Sequence, residues 1–131
     1  MNTDREKTCE ERVGDRLGGR LDDLRELLNA EDNETDELGS LCDYGLSVDY
    51  VAPGTFNDQR EGYVRYQLSW GGPSDEFRFF VNPDGSVHRV EYWFLDWFDG
   101  APITLIMDDE QLLLDIYEWG DFKWHITEEE E

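Results

Sequence analysis

Basic residues are scarce in this chain of 131 residues, which has 11 Lys and Arg against 33 Asp and Glu and a formal net charge of −22. Lysine is especially rare, because only Lys7 and Lys123 occur. Repulsion between the carboxylates and phosphate groups opposes binding to DNA, RNA or an anionic membrane. The composition therefore argues against a nucleic-acid-binding module and predicts a basic partner.

Residues for nucleophilic and metal chemistry are also few. The two histidines, His88 and His125, lie in no motif that pairs a nucleophile with a base. Cys9 and Cys42 fit no C-x-x-C pattern, so we expect free thiols and no zinc site. The acidic residues show no EF-hand spacing. The sequence thus predicts a protein that is not an enzyme and needs no cofactor or metal.

Long apolar runs are missing as well. Residues 1–16 alternate in charge and lack the apolar segment of a signal peptide. Nowhere do roughly 18 apolar residues follow one another, as a membrane-spanning helix requires. We therefore expect a cytoplasmic protein.

The chain nevertheless contains enough apolar material for a core. Hydrophobic residues make up 38% of it, with five Trp, six Tyr and seven Phe, whereas disordered chains have few aromatics. The length suits one domain over residues 1–131. We expect residues 1–17 and 126–131 to be held more loosely than the rest.

Two segments have the apolar periodicity of amphipathic helices. In residues 4–30, glycines predict a break near Gly18, with the helix resuming over residues 20–30. The second helix covers residues 108–119, begins with acidic residues at its favoured end, and stops near Gly120. The apolar positions are Val13, Leu17, Leu21, Leu24 and Leu28 in the first segment and Leu112, Leu113, Ile116 and Trp119 in the second.

Residues 31–37 contain no apolar side chain and predict a solvated loop. Thr35 or Asp36 can cap a short turn that runs through Cys42.

Four strands are predicted between the two helices, at residues 46–51, 63–70, 77–81 and 87–98. Turn-forming residues separate them, most strongly Asn-Pro-Asp-Gly at 82–85. The order of elements predicts an α+β fold, a four-stranded antiparallel meander with N-terminal and C-terminal helices.

The fourth strand is apolar on both faces. Val90, Tyr92, Phe94 and Phe98 alternate with Trp93, Leu95 and Trp97. A helix on each side of the sheet, or the chain ends, would bury both faces. Alternatively, the face with Trp93 and Trp97 is an exposed partner-binding patch. We favour burial in the core.

Negative charge is segregated along the chain. Residues 26–59 hold nine acidic residues and no basic one, and residues 90–131 hold thirteen against Lys123 alone, whereas residues 60–89 hold four of each. Adaptation to high salt spreads carboxylates and removes lysine, so the low lysine count favours it. A nucleic-acid mimic concentrates carboxylates on one face, which the segregation and the nine arginines favour. An ordinary acidic surface is the third interpretation.

Residues 67–81 and 91–100 resemble small proteins of plasmids and phages. In size and charge, the whole chain resembles the acidic anti-defence proteins of mobile elements, namely anti-CRISPR and anti-restriction proteins. This resemblance implies an inhibitor that occupies the nucleic-acid groove of a bacterial immune complex, with a CRISPR effector preferred over a restriction enzyme.

Three other functions stay open. One is an acidic antitoxin or immunity protein that neutralises a basic toxin. The others are an acidic domain adapted to high salt with an unrelated activity, and a small metal-dependent hydrolase. The candidate partner-binding residues are Glu31, Asp32, Glu34, Asp36, Glu37, Asp96, Asp99, Asp108, Asp109, Glu110, Asp115 and Glu118.

The charge argument makes a direct prediction. The purified protein should not bind duplex or single-stranded DNA at physiological salt, because its carboxylates repel the phosphates before any contact forms. A gel-shift titration checks this, and a submicromolar dissociation constant would contradict the argument.

Overall fold

The computed structural model describes residues 9–55, 59–71, 73–96 and 99–126, with side chains from residue 12 onward and without that of residue 99. Its elements, in chain order, are α1 (Cys9–Asn29), a 3₁₀ turn (Glu31–Asn33), β1 (Glu34–Thr35), β2 (Gly39–Ser40), α2 (Leu41–Tyr44), β3 (Ser47–Val51), β4 (Tyr63–Ser69), β5 (Ser74–Val81), β6 (Val87–Asp96), β7 (Asp99–Thr104) and α3 (Met107–Trp119).

The main sheet of the described residues is an antiparallel meander in the order β3-β4-β5-β6-β7, and β1 pairs separately with β2. The α+β class is confirmed, but the four-stranded meander is corrected to five strands. In the main sheet, sequence reasoning missed β7, because Gly100 and Pro102 are typical of turns. It also missed the short strands β1 and β2, which lie where a solvated loop and a turn were predicted. Pro102 lies opposite Trp93 on an edge strand, where a missing N–H is tolerated.

The other strands lie close to their predicted positions. β3 and β4 each differ from the prediction by one residue at one end, whereas β5 begins at Ser74, three residues early. β6 ends at Asp96, which pairs with Asp99. Trp97 and Phe98, which the sequence predicts in the fourth strand, lie outside the described residues.

The helix α1 does not break at Gly18, so that prediction is wrong. Gly14, Gly18 and Gly19 are exposed, and a Cβ atom would meet nothing within 4 Å at any of them. Each glycine costs about 1 kcal/mol relative to Ala, but the opposite side of the helix buries a continuous apolar stripe. This stripe comprises Val13, Leu17, Leu21, Leu24 and Leu27.

Both α1 and α3 pack on the same face of the sheet. Their apolar residues join Phe77, Phe79 and Tyr92 in one core cluster. In α3, Leu112, Leu113 and Ile116 are buried as expected, but Tyr117 takes the buried place that we assigned to Trp119. No helix in the described part of the chain is both long and apolar enough to cross a membrane.

The cap of the short helix α2 also differs from the prediction. Ser40 accepts a hydrogen bond from the backbone N–H of Asp43 at 3.2 Å. Thr35 instead accepts one from the backbone N–H of Leu38, at 3.0 Å. Thr35 therefore closes the turn between β1 and β2, and Ser40 starts the helix.

The second face of the sheet is covered by its own side chains and not by a helix. The Arg78 guanidinium lies 4.2 Å from the centre of the Trp93 ring and 4.9 Å from that of Tyr63. Its Nε donates to Glu76 at 2.6 Å, and the indole of Trp93 donates to Glu91 at 2.9 Å. Trp93 is therefore half-buried beneath an arginine, and the helix on each side that we considered is absent from the described residues.

Alanine substitutions test the account of α1. Gly18→Ala and Gly19→Ala should each raise the free energy of unfolding by about 0.5–1 kcal/mol, because the helix has room for the methyl group. Urea unfolding measures this. As a control, Gly45→Ala should destabilise the protein, because the new Cβ would lie 2.2 Å from Cε1 of the buried Tyr66. A loss of stability in Gly18→Ala would contradict the account.

Candidate partner-binding surface

A buried carboxylate joins α1 to the sheet. The side chain of Asp75, only 3% exposed, accepts two hydrogen bonds from Arg20, at 2.8 Å from Nε and 3.0 Å from Nη2. The hydroxyl of Tyr92 donates to its Oδ2 at 2.6 Å, and the hydroxyl of Ser69 donates to Oδ1. Both carboxylate oxygens are therefore occupied, and Asp75 positions α1 instead of acting as an available base.

The same arginine reaches α2. Arg20 Nη1 donates to the hydroxyl of Tyr44 at 3.0 Å, and that hydroxyl donates to Asp23 at 2.7 Å. Burial and the hydrogen bond to Asp23 raise the pKa of Tyr44 to about 12. The phenol stays neutral at physiological pH, so it can donate and accept at the same time.

The network lowers the pKa of Asp75. Burial alone would raise this pKa, but hydrogen bonds from Arg20, Ser69 and Tyr92 favour the ionised form and outweigh burial. Sequence reasoning missed the network, because Arg20 and Asp75 are 55 positions apart and neither lies in a motif.

Two further arginines of α1 pair with predicted partner-binding acids. Arg12 donates to Asp96 of β6, and Arg25 donates to Asp109 of α3 at 3.1 Å. The structure therefore places Asp96 and Asp109 where they hold α1 against β6 and α3.

Three arginines on the second face of the sheet are also paired with carboxylates. These pairs are Arg65 with Asp49, Arg78 with Glu76, and Arg89 with both Glu61 and Glu91. Among the described residues, six of the nine arginines thus pair with particular acids of the sheet, of the segment before β4 and of α3.

The remaining predicted acids fall into two places. Glu31, Asp32, Glu34, Asp36 and Glu37 are exposed on the 3₁₀ turn and the β1–β2 hairpin. On α3, Asp108, Asp115 and Glu118 are exposed, whereas Glu110 is half-buried. The side chain of Asp99 lies outside the described residues.

One hydrogen bond brings part of these two groups together. The indole N–H of Trp119 donates to Oδ1 of Asn33 at 3.2 Å, which ties the end of α3 to the 3₁₀ turn. Asp108 lies at the opposite end of α3, about 15 Å away along the helix axis. We call the joined set the acidic surface: Glu31, Asp32, Glu34, Asp36, Glu37, Glu118 and Asp121.

No ion pair within the described residues involves a member of the acidic surface. Lys123, the one Lys or Arg of residues 90–131, packs against Gly85: a Cβ atom on that glycine would lie 2.7 Å from Cε of Lys123. Hydrogen bonds from Ser86 lower the pKa of the neighbouring Asp84, and the charge of Lys123 lowers it further. Lys123 lines one cavity together with Glu118 and Asp121, but it forms no ion pair with them among the described residues.

An apolar cleft of about 130 Å³ is lined in part by Trp119, whose indole hydrogen-bonds to Asn33 between Asp32 and Glu34. Its walls come from α2, the start of β3 and the end of α3, and they include Leu46 and Trp119, which are 60% and 42% exposed. Sequence reasoning missed this cleft, because it joins segments that lie far apart in the chain.

Comparison with protein-family models, curated proteins and solved structures finds no match to this chain. The surface is therefore interpreted from its own chemistry.

Replacing Asp75 tests the role of the buried network. Asp75→Asn should lower the free energy of unfolding by about 3 kcal/mol at pH 7, because it leaves Arg20 without its charge partner. Asp36→Asn, an exposed control, should change it by less than about 0.5 kcal/mol. Urea unfolding measures both.

The pH dependence has a definite sign. Because the pKa of Asp75 is lower in the folded protein, its stabilising contribution is complete above an ordinary carboxyl pKa of about 4 and is lost as pH falls below it. The stability difference between wild type and Asp75→Asn should therefore shrink below about pH 4. A difference that stays constant from pH 7 to pH 3 would contradict this assignment.

Proposed function

We propose that this chain is a non-enzymatic, cytoplasmic inhibitor that occupies the basic nucleic-acid groove of a bacterial defence complex, with a CRISPR effector as the first candidate and a restriction enzyme as the second. The observation that carries the proposal is the unequal pairing of charges. Six arginines of α1 and the sheet form ion pairs with acids of the sheet, of the segment before β4 and of α3. The acidic surface has no ion pair among the described residues.

This pairing supports mimicry over adaptation to salt. A salt-adapted surface gains from carboxylates distributed all round the molecule. Here the second face of the sheet carries nearly balanced charges, with Arg65, Arg78 and Arg89 among its acids. A one-sided field steers the protein toward a cationic surface and orients it on arrival.

The exposure of the acids fits the same function. In the free protein, water solvates the carboxylates of the acidic surface, so they add little to stability. When they meet a basic groove, they take the place of nucleic-acid phosphates and displace the counterions of the groove. The expected partner is therefore a protein, and the chain itself has no direct contact with nucleic acid.

Group neutralisation tests the proposal, because single exposed charges contribute too little to be measured alone. One variant changes Glu31, Asp32, Glu34, Asp36 and Glu37 to Gln or Asn. Its matched control exchanges Glu and Asp at the same five positions, which alters the same side chains and keeps the charge. Asp96 and Asp109 are left unchanged, because their ion pairs hold α1.

The chain of 131 residues is used as bait in lysates of cells that carry CRISPR and restriction systems. Wild type and the exchange control should capture a basic nucleic-acid-binding protein, and duplex DNA should displace it, since both compete for one groove. The neutralised variant should capture at least about tenfold less, and wild-type capture should fall steeply with added salt. Mass spectrometry quantifies the captured protein.

Two results would overturn the proposal. Equal capture by the neutralised variant would show that the acidic surface is not the contact. Capture of a basic toxin that DNA does not displace would identify an antitoxin or immunity protein instead.

A further inference from the structure

We propose that the apolar cleft between α2, β3 and the end of α3 is a docking site for one apolar side chain of a basic protein segment. This inference deepens the proposed function and rests on it, because it identifies the centre of the contact with the basic partner.

The floor of the cleft is built from two packed aromatic rings. Tyr66 and Phe122 lie with ring centres 5.2 Å apart. Glycine is required beside each ring, since a Cβ atom on Gly45 would lie 2.2 Å from Tyr66 Cε1 and one on Gly120 would lie 2.3 Å from Phe122 Cε1. The backbone therefore approaches both rings closely, and the two rings, each 5% exposed, form the floor of the cleft between Leu46 and Trp119.

The size of the cleft suits a single side chain. Its volume is about 130 Å³, and an apolar cavity of roughly 150 Å³ accommodates a ligand the size of benzene. Leu46 and Trp119 form exposed apolar walls. The hydrogen bond from Trp119 to Asn33 holds the indole in place before any partner binds. A wall that is already ordered loses little conformational entropy on binding.

The charges around the cleft specify its occupant. Asp43 of α2, which follows the lining residue Cys42, is exposed, and so are Glu118 and Asp121 near Trp119 in the chain, although the last two line a neighbouring cavity together with Lys123. Asn33, which binds Trp119, lies between the exposed Asp32 and Glu34. An apolar centre with an acidic rim complements an apolar residue flanked by lysines and arginines. A second copy of this chain is disfavoured, because its own acidic rim would face this one.

Two synthetic peptides of nine residues test the inference. Each has four lysines on either side of a central residue, which is leucine in one peptide and serine in the other. Wild-type protein should bind the leucine peptide about tenfold more tightly, since burying one leucine side chain is sufficient for that factor. Titration calorimetry at low salt measures both dissociation constants.

Variants locate the preference. Leu46→Ser should abolish the preference for the leucine peptide and leave affinity for the serine peptide unchanged. Trp119→Ser, the second cleft variant, should have the same effect. Trp70→Ser is the matched control, because Trp70 is 77% exposed but lies beyond β4, outside the cleft lining. It should keep the full preference. Circular dichroism and urea unfolding verify that each variant is folded.

Each contrary outcome has a distinct meaning. Equal affinity of wild type for both peptides overturns the cleft inference and leaves the proposed function standing. No binding of either peptide at low salt overturns the proposed function and the inference with it. Loss of the preference in Trp70→Ser shows general apolar adhesion and overturns the inference. A wild-type dimer that Leu46→Ser converts to monomer in sedimentation shows that a second copy fills the cleft, which also overturns it.

Discussion

The bidentate contact between Arg20 and Asp75 fixes where α1 lies on the sheet. Replacing a buried ion pair with apolar residues often costs little, so its main effect here is positional. Arg20 lies in the middle of a long helix, and Asp75 lies next to the turn between β4 and β5. With the helix held at this point, Arg12 reaches Asp96 at one end and Arg25 reaches Asp109 at the other. The helix α3 packs beside it through Leu112, Leu113 and Ile116, which belong to the same core cluster.

The use of arginine links the core to the surface chemistry. Guanidinium groups bind carboxylates in a planar geometry and stack on aromatic rings, and both occur on the second face of the sheet. This covering leaves Trp93 half-buried, although no helix of the described residues lies on that face. Within the described part of the chain, six of the eleven basic residues form ion pairs with acids, whereas the acidic surface at the end of α3 forms none.

Much of the fold could be predicted from the sequence, because periodicity is a local signal. The apolar repeats of α1 and α3 and the alternation of β3 and β4 locate those elements to within a few residues. The exceptions depend on tertiary contacts. The glycines of α1 are tolerated because the buried stripe outweighs their cost, and β7 forms because β6 supplies a partner for a segment that contains Pro102.

The candidate site was less predictable than the fold. Counting charge by segment identified the acidic groups, but it could not show that Asp96 and Asp109 are paired with arginines or that Trp119 meets Asn33. Those contacts join residues 84 to 86 positions apart. The cleft depends on the same kind of contact, since Leu46 and Trp119 lie at opposite ends of the meander.

The contacts of this fold differ in the length of chain that they enclose. Each strand of the main sheet pairs with the next strand in the chain, so the sheet contacts are short-range hairpins. The ion pairs of α1 instead close chain segments of 55 and 84 residues. Loop-closure entropy rises with the length of chain enclosed, and contacts distant in sequence slow folding. The entropic barrier to folding is therefore concentrated in the docking of α1, and the hairpins can form independently of it.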